Sequence, residues 1–373
     1  MVNINTLGVL FPNTYDDMLP EMVRLRAMGS VPFAGRYRMI DFPLSAMVNA
    51  GIQNVTVLVK QNYYSLMDHL GSGREWDLAR KRGGLRIVPP YALAQNKVYH
   101  GRVEALCSIL GFLESQREKY VILSDCNIAS GLDFAALIQA HEASGADVTM
   151  VYERAEIPEP VKTDNYTLTL DDAGRVTELR TNDYRPGVRN LFMNVIVMGR
   201  EELVSFLKDA RAHNLMYLER DIIAPHLNIL NVRGYEYAGY RARIYDMRSY
   251  FNENMRLLDH RNVEALFPEE RAVYTKVRDE APVRYAMDCK VHNSMVADGC
   301  VIEGEIENCV LFRGVRISKG AKVKNCVLMQ GTVVEPNAEM EYIVTDKNVV
   351  ITHDRRLSGN ENFPVYVEKN TIV

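Results

Sequence analysis

The chain has 373 residues, of which 47% are hydrophobic and 25% charged, as is ordinary for a globular protein. Its formal net charge of -4 argues against a nucleic-acid-binding surface, and no apolar run is long enough to span a bilayer. The six cysteines are scattered without a Cys-x-x-Cys pair, which favours reduced thiols in a cytoplasmic protein over a disulfide or zinc framework.

The first two-thirds of the sequence predicts a layered α/β domain with a largely parallel sheet, because short apolar runs alternate with helical patterns. Residues 55–59 and 120–124 are short and rich in β-branched side chains, which predicts buried strands, and residues 147–152 predict a third. Residues 133–142 carry apolar side chains three and four positions apart, as an amphipathic helix does. We expect another helix over residues 249–266 to close this domain.

Beyond residue 288 the spacing changes to a period of six. One set of small or branched residues with this step is Cys309, Val315, Ala321, Val327 and Val333, and a second is Leu311, Ile317, Val323 and Met329. Neither a helix nor an alternating strand has this period, whereas a hexapeptide β-helix does. The predicted organisation is therefore an α/β domain over 1–266, a charged linker over 267–287 and a left-handed hexapeptide β-helix over 288–373.

Three blocks of sequence carry a resemblance to a known family. Residues 31–52, 71–78 and 250–258 resemble signatures of the bacterial ADP-glucose pyrophosphorylases, and the last block resembles the helix that ends their catalytic domain. The resemblance covers nearly the whole chain. It implies a Rossmann-like nucleotidyltransferase domain followed by the β-helix, and the conversion of ATP and glucose 1-phosphate to ADP-glucose and pyrophosphate.

The triphosphate cradle that the resemblance leads us to expect is missing. In the family, a glycine-rich turn after the first strand and a lysine about a dozen residues later hold the phosphates. Here residues 10–19 contain no glycine, Pro12 has no N–H to donate, and Asp16 and Asp17 would repel a triphosphate. Met28 stands where the family has the lysine.

The two metal-binding aspartates of the family are also altered. Alignment places Cys126 at the first position, although a slip of one residue would leave Asp125 there. The second position falls on Arg243, and Asp246 lies three residues later. We therefore predict no metal site, with Asp125 and Asp246 as the remaining candidates, and no cofactor for this chain. The resemblance implies that Mg²⁺ is used by a catalytic partner.

The residues that the resemblance leads us to expect at substrate-binding positions are also replaced. Asn182 replaces the lysine of the family's sugar-phosphate motif, and a neutral amide cannot supply a charge-assisted contact to phosphate. Arg102 stands where the family has a small residue beside the nucleotide. All four degenerate positions (Met28, Cys126, Asn182 and Arg243) point to a chain without catalytic residues.

This pattern resembles the non-catalytic subunits that accompany an active glucose-1-phosphate adenylyltransferase in bacterial glycogen synthesis. The resemblance implies a hetero-oligomer with the catalytic subunit, a tetramer, in which this chain raises or tunes the partner's activity; alone it could form a homo-oligomer. Two alternatives stay open. One is an active sugar-phosphate nucleotidyltransferase with a site rebuilt around Asp125 and Asp246, and the other is acyl transfer on the β-helix with His292 or His353 as base.

A cluster of arginines is a candidate site for an anionic effector. Arg24, Arg26, Arg36 and Arg38 fall in a short window, near the region where the family binds phosphorylated activators. The alternative interpretation is that Arg36 and Arg38 pair with Asp41 or lie on a solvated face.

Overall fold

The computed structural model describes residues 5–90, 99, 101–157, 165–183 and 185–373. Its helices are α1 (Pro20–Val23), α2 (Asp41–Asn49), α3 (Tyr64–Leu70), α4 (Arg102–Ser108), α5 (Leu110–Ser115), α6 (Phe134–Ser144), α7 (Arg200–His213), α8 (Met247–Arg256) and α9 (His260–Leu266). Among the described residues, no helix is both long enough and apolar enough to cross a membrane.

The strands fall into two groups, one for each domain. Those of the first domain are β1 (Thr6–Phe11), β2 (Pro32–Phe33), β3 (Tyr37–Arg38), β4 (Asn54–Leu58), β5 (Gly84–Val88), β6 (Tyr120–Asp125), β7 (Ile128–Ser130), β8 (Val148–Glu156), β9 (Tyr166–Leu170), β10 (Val176–Thr181), β11 (Val188–Gly199), β12 (Val232–Glu236) and β13 (Arg241–Arg243). Those of the second are β14 (Arg284–Tyr285), β15 (Lys290–His292), β16 (Met295–Val296), β17 (Val301–Ile302), β18 (Glu305–Glu307), β19 (Val310–Leu311), β20 (Arg316–Ile317), β21 (Lys322–Lys324), β22 (Val327–Leu328), β23 (Val333–Val334), β24 (Glu339–Glu341), β25 (Ile343–Thr345), β26 (Val350–Ile351), β27 (Arg356–Ser358) and β28 (Val365–Val367).

The main sheet of the first domain has the order β10-β9-β11-β6-β1-β4-β5; β8 also pairs with β11, and β12 pairs with β8. Strands β6, β1, β4 and β5 are mutually parallel, and β11 joins β6 in the antiparallel sense. The three strands predicted from the sequence are confirmed as β4, β6 and β8. Their apolar runs reflect burial on both faces of the sheet, because separate hydrophobic clusters cover the two sides.

The predicted helices are present, one of them in two parts. Helix α6 begins where the Asp133 carboxylate accepts hydrogen bonds from the N–H groups of Ala135 and Ala136, at 2.9 and 3.1 Å. The single helix expected over residues 249–266 is instead α8 and α9. The chain breaks between them because Asp259 caps α9, accepting from the N–H of Arg261 at 3.0 Å.

The second domain is a hexapeptide β-helix of three five-stranded parallel sheets. Its first strand begins at Arg284 and pairs with β17, so the β-helix starts inside the segment expected to be a linker. The remaining linker packs on the first domain: the Tyr274 N–H donates to Ser45 Oγ at 2.9 Å, and Lys276 donates to the carbonyl of Asp68 at 2.7 Å.

The six-residue step does not continue unbroken. Leu311 is aligned with Leu328, so the coil between them falls one residue short of three hexapeptides. As a result Cys326 and Thr332, rather than Val327 and Val333, follow Ala321 at the interior corner, and the placement of Val327, Val333 and Met329 from the period was wrong. Val327 and Met329 are nevertheless buried, because they face the first domain.

An apolar cluster joins the two domains. It combines Phe33 and Phe42 near the start of the chain, Tyr250 and Phe251 of α8, and outward-facing β-helix residues such as Val327. Burial of this much apolar surface fixes the β-helix on the α/β domain.

Candidate functional site

A pocket of about 360 Å³ opens at the carboxyl ends of β1 and β4, beside the start of α4. This edge of a parallel sheet is where α/β folds usually bind ligands. The loop after β1 forms one wall. Aromatic side chains are prominent in the lining, including Phe11, Tyr15, Tyr99, Tyr166 and Tyr217.

The loop after β1 bonds to its own neighbours. The Asp16 carboxylate accepts from Asn13 Nδ2 at 2.7 Å and from the N–H of Met28 at 2.8 Å, and Asn13 Oδ1 accepts from the N–H of Lys60 at 2.8 Å. Burial raises the pKa of Asp16 to about 6, with the hydrogen bonds from Asn13 and Met28 opposing the rise. The Asp16 carboxylate therefore occupies the backbone N–H of Met28, a group of the kind that cradles a phosphate in nucleotide-binding loops.

Met28 lies outside the pocket lining. Its side chain is 1% exposed and packs in the apolar cluster between the domains. The backbone beside it is held tightly to the first loop, because the Gly29 N–H donates to the carbonyl of Pro12 at 2.9 Å. A Cβ on Gly29 would lie 2.7 Å from the Pro12 Cβ, so only glycine fits there.

Arg102, at the first position of α4, joins two carboxylates in the wall of the pocket. Its guanidinium donates to Asp125, at the end of β6, and to Glu219, on a short helical segment over Leu218–Ile223. All three side chains are less than one-tenth exposed. The second oxygen of Asp125 accepts from Thr14 Oγ1 at 3.0 Å.

These residues do not fit a divalent metal ion. A guanidinium already occupies the space between Asp125 and Glu219, and it would repel a metal cation. Within the ranges that the structure describes, no three His, Cys, Asp or Glu side chains are placed to share a metal ion. Burial raises the pKa of Asp125, and the adjacent Arg102 charge opposes that rise.

The two adjacent candidates for the first metal position face opposite ways. The Asp125 carboxylate contacts pocket-lining residues, whereas Cys126 is 1% exposed and packs in the hydrophobic cluster on the other side. Burial raises the pKa of the Cys126 thiol well above its usual value. Asp125 is thus the one of the two that bonds to residues lining the pocket, Thr14 and Arg102.

Arg243 and Asp246 make structural hydrogen bonds near the pocket. Arg243 Nε donates to Glu153 at 3.0 Å, and its Nη2 donates to the carbonyl of Phe192 at 2.9 Å. Burial lowers the pKa of Arg243 to about 10. Asp246 is the N-cap of α8 and accepts from the N–H of Ser249 at 2.6 Å, so the structure does not bring it to Asp125 as a second metal ligand.

Asn182 is a turn residue. Its φ of 55° is left-handed, a conformation that asparagine tolerates well, and its side-chain oxygen accepts from the N–H of Asn165 at 3.0 Å. The residue that the resemblance places at the sugar-phosphate position thus ties β10 to the start of β9.

Residues in the blocks that resemble the family, 31–52 and 250–258, make packing contacts and hydrogen bonds within the first domain. Asp41 is fully buried and bonds to His69 Nε2 at 2.6 Å and to the N–H of Arg38 at 2.9 Å. The Tyr250 hydroxyl donates to the carbonyl of Pro32 at 2.8 Å, and Asn254 accepts from the N–H of Ala34 at 3.2 Å. These bonds hold residues 31–52 against α8, so both segments have a structural role that does not depend on any chemistry.

A second, strongly basic pocket lies between the domains. Its cationic lining residues come from four separate segments: Arg36, Arg38, Lys276, Arg278, Arg313 and Lys347. Burial, followed by the charges of Arg38 and Arg26, lowers the pKa of Lys347 to about 7. The pocket is small, with a volume of about 40 Å³.

Two of the four arginines in the candidate effector window contribute to this pocket. Arg36 and Arg38 line it, whereas Arg24 lies on the surface, 3.4 Å from Glu368, and Arg26 is buried in an ion pair with Asp346. Arg38 bonds to Asp41 only through its backbone; its guanidinium donates to the carbonyl of Ser65 at 2.6 Å.

The two β-helix histidines are on the surface. His292 is exposed on β15, and His353 lies 3.4 Å from Glu335 with most of its side chain exposed. Neither lines the two pockets above.

Comparison with known proteins agrees with this two-domain architecture. Residues 22–179 match the family model described as nucleotidyl transferase, and residues 281–362 match the one described as GlmU-like, C-terminal hexapeptide. The chain is 34% identical to the glycogen biosynthesis protein GlgD of Bacillus subtilis (strain 168), over 100% of this chain and 98% of that protein.

Two proteins from Geobacillus stearothermophilus are also similar to this chain. Its glycogen biosynthesis protein GlgD is 35% identical over 86% of this chain and 84% of its own length. Its glucose-1-phosphate adenylyltransferase is 31% identical over 80% of this chain and 77% of its own. The chain therefore belongs to the GlgD-type glycogen biosynthesis proteins, within the family of the glucose-1-phosphate adenylyltransferases.

Proposed function

We propose that this chain is a catalytically deficient, regulatory subunit of a cytoplasmic glucose-1-phosphate adenylyltransferase. It assembles with a catalytic homologue, in a tetramer, and raises or tunes the synthesis of ADP-glucose from ATP and glucose 1-phosphate. The observation that carries the proposal is the Arg102 guanidinium bound between Asp125 and Glu219. A nucleotidyl transfer needs carboxylates free to hold the metal that neutralises the triphosphate, and here an internal cation holds them.

The rest of the pocket supports this interpretation. Asp16 and Asp17 line the wall where a phosphate cradle would be needed, with Lys60 as a nearby cation. Negative charge at that wall raises the cost of binding a triphosphate. Met28 and Asn182 supply no charge in compensation, because Met28 is buried between the domains and Asn182 holds a turn.

A subunit without catalysis can still control its partner. If it binds the partner's active conformation more tightly than the inactive one, a differential of about 1–3 kcal/mol changes the active population several-fold or more. The well-packed fold and the domain interface described above provide a rigid body for such binding.

The direct test measures ADP-glucose synthesis with Mg²⁺ by this chain, by its catalytic homologue from the same cell, and by the two co-purified. We expect the chain alone to be silent and the mixture to exceed the homologue. Absence of association would end the regulatory proposal. Turnover by the chain alone that disappears on Asp125→Asn would establish the alternative, an enzyme with a rebuilt site.

We also propose that the basic pocket between the domains holds the phosphate group of an anionic effector. Six cationic side chains line it, and it lies between the two domains whose relative position an effector could bias. Burial is the first cause of the low pKa of Lys347 and the charges of Arg38 and Arg26 are the second; a bound anion would offset those charges.

Anion binding at this pocket should be coupled to proton uptake. At pH 8 Lys347, with a pKa of about 7, is mostly neutral; an anion stabilises its charged form and raises that pKa. Calorimetric titration with sulfate in two buffers of different ionisation enthalpy should therefore show proton uptake, which Lys347→Met abolishes. Lys319→Met, at an exposed turn, is the matched control. Uptake that persists in Lys347→Met would contradict this assignment.

A further inference from the structure

An open groove lies between α8, α9 and one corner of the β-helix. Its volume is about 640 Å³, within the usual range for ligand sites. One wall belongs to the first domain and includes Phe251, Asn252 and Asn262, and the other wall is the β-helix corner. Neither the degenerate pocket nor the basic pocket shares a residue with this groove.

The β-helix wall is a ladder of asparagine side chains. Asn293 Nδ2 donates to Asn308 Oδ1 at 2.7 Å, and Asn308 Nδ2 donates to Asn325 Oδ1 at 3.2 Å. Successive coils repeat at the spacing of paired strands, about 4.8 Å, so the three amides extend over roughly 10 Å. Since a side-chain amide has two N–H groups, each member keeps at least one that the ladder does not use.

The next coil places Tyr342, in place of a fourth asparagine, at this corner. Its φ of 54° is left-handed, which asparagine accepts readily but which strains an aromatic residue. Asn337 and Asn348 occupy other left-handed turns of the β-helix, so the backbone alone does not explain a tyrosine here. The ring is half-buried, lines the groove and lies 6.1 Å from the ring of Phe251. Backbone strain of this kind concentrates at binding sites.

Polar groups on both walls are available to a ligand. Within the part of the chain that the structure describes, the Asn252 amide, Asn325 Nδ2 and the Tyr342 hydroxyl have no hydrogen-bond partner. Asn262 donates through Nδ2 to the carbonyl of Arg256 at 2.7 Å, and its Oδ1 is not engaged by any described residue. A ligand could therefore bond to these groups without breaking an internal hydrogen bond.

The charges of the groove are few and mostly paired. Arg256 lies 2.9 Å from Glu253, and Asp259 lies 2.7 Å from Arg261. Glu361, which is exposed, is the remaining charged residue among the described lining. An anionic ligand such as a nucleotide or a sugar phosphate would gain little here, because the cation of the lining already has a carboxylate partner. The groove therefore favours an uncharged ligand.

We propose that this groove binds a neutral oligosaccharide, a chain of an α-glucan. Side-chain amides donate and accept at once, as sugar hydroxyls do, and the Tyr342 ring offers an apolar surface to the C–H face of a sugar. The length of the asparagine ladder suits a few consecutive sugar rings. The groove's chemistry specifies a neutral carbohydrate, and the choice of a glucan rests on the proposed function, since the relatives are named for glycogen biosynthesis.

The test measures binding of maltoheptaose to the full-length chain by calorimetric titration, and binding of glycogen by retardation in an affinity gel. Tyr342→Asn should raise the dissociation constant about tenfold, because the ring is lost while asparagine accepts the left-handed backbone. Asn252→Ala, on α8, should weaken binding in the same direction. Circular dichroism checks that each variant is folded.

Matched controls lie outside the groove. Tyr285→Asn removes a 51% exposed ring from β14, and Gln139→Ala removes an exposed amide from α6; both should bind glucan as the wild type does. The affinity of the wild type should not depend on salt, because the ligand is uncharged.

A wild-type chain that binds neither maltoheptaose nor glycogen would overturn the glucan site. Binding that is unchanged in Tyr342→Asn and Asn252→Ala would overturn it as well, because the glucan would then lie elsewhere. These outcomes are separate from failure of the proposed function, which is measured by ADP-glucose synthesis with the catalytic homologue and needs no glucan.

Discussion

Replacing Arg102 with alanine is expected to destabilise the protein by about 3–5 kcal/mol, without restoring catalysis. The substitution leaves Asp125 and Glu219 buried without their shared cation; the two side chains are 1% and 4% exposed. Two uncompensated carboxylates in one cavity also repel each other. The measurement is the free energy of unfolding in urea, followed by circular dichroism and tryptophan fluorescence; Trp76 lies in the same domain.

Companion variants separate charge from packing at this site. Asp125→Asn with Glu219→Gln in the Arg102→Ala background should recover much of the lost free energy of unfolding, because neither buried carboxylate then remains. Arg356→Ala breaks an exposed pair with Glu339, 3.5 Å apart, and should cost no more than about 1 kcal/mol. If Arg102→Ala is no more destabilising than Arg356→Ala, the Arg102 ion pairs do not contribute as argued.

Arg26→Ala is expected to cost about 3–5 kcal/mol by breaking a buried ion pair between the domains. Arg26 Nη2 donates to both oxygens of Asp346, at 2.8 and 2.6 Å, and both side chains are less than 5% exposed. The Tyr366 hydroxyl donates to the same carboxylate at 2.7 Å. Without Arg26, Asp346 would therefore keep this hydrogen bond but lose its ion pair. Because this pair joins the α/β domain to the β-helix, calorimetry should show a lowered transition that separates into two.

The neighbouring arginine provides a matched control. Arg24→Ala removes a pair with Glu368 whose side chains are 73% and 67% exposed, and it should change stability by no more than about 1 kcal/mol. Arg26→Met with Asp346→Asn removes both charges while keeping the volume, and should regain part of the loss. A single transition at the wild-type temperature in Arg26→Ala would show that the domains do not depend on this pair.

Several elements followed from the sequence because local spacing determines them. The strands at 55–59 and 120–124 and the helix at 133–142 were recognisable because burial on two faces or one face leaves a pattern within a few residues. The six-residue step identified the β-helix for the same reason. It misplaced Val327, because Val310 and Val327 are aligned in successive coils although they are 17 rather than 18 residues apart, and spacing alone does not show where a coil departs from three hexapeptides.

The candidate site depended on tertiary structure at each contact. The sequence identified Arg102 as a residue that differs from the family. Its second partner, Glu219, lies far along the chain in a segment without a recognisable motif. Choosing Asp125 over Cys126 required the strand to be placed, since neighbouring residues face opposite sides of a sheet. The basic pocket likewise combines Arg38 with Lys276 and Lys347 from the linker and the β-helix. Local periodicity specifies secondary structure, whereas pairing between distant segments is decided only when the two domains pack together.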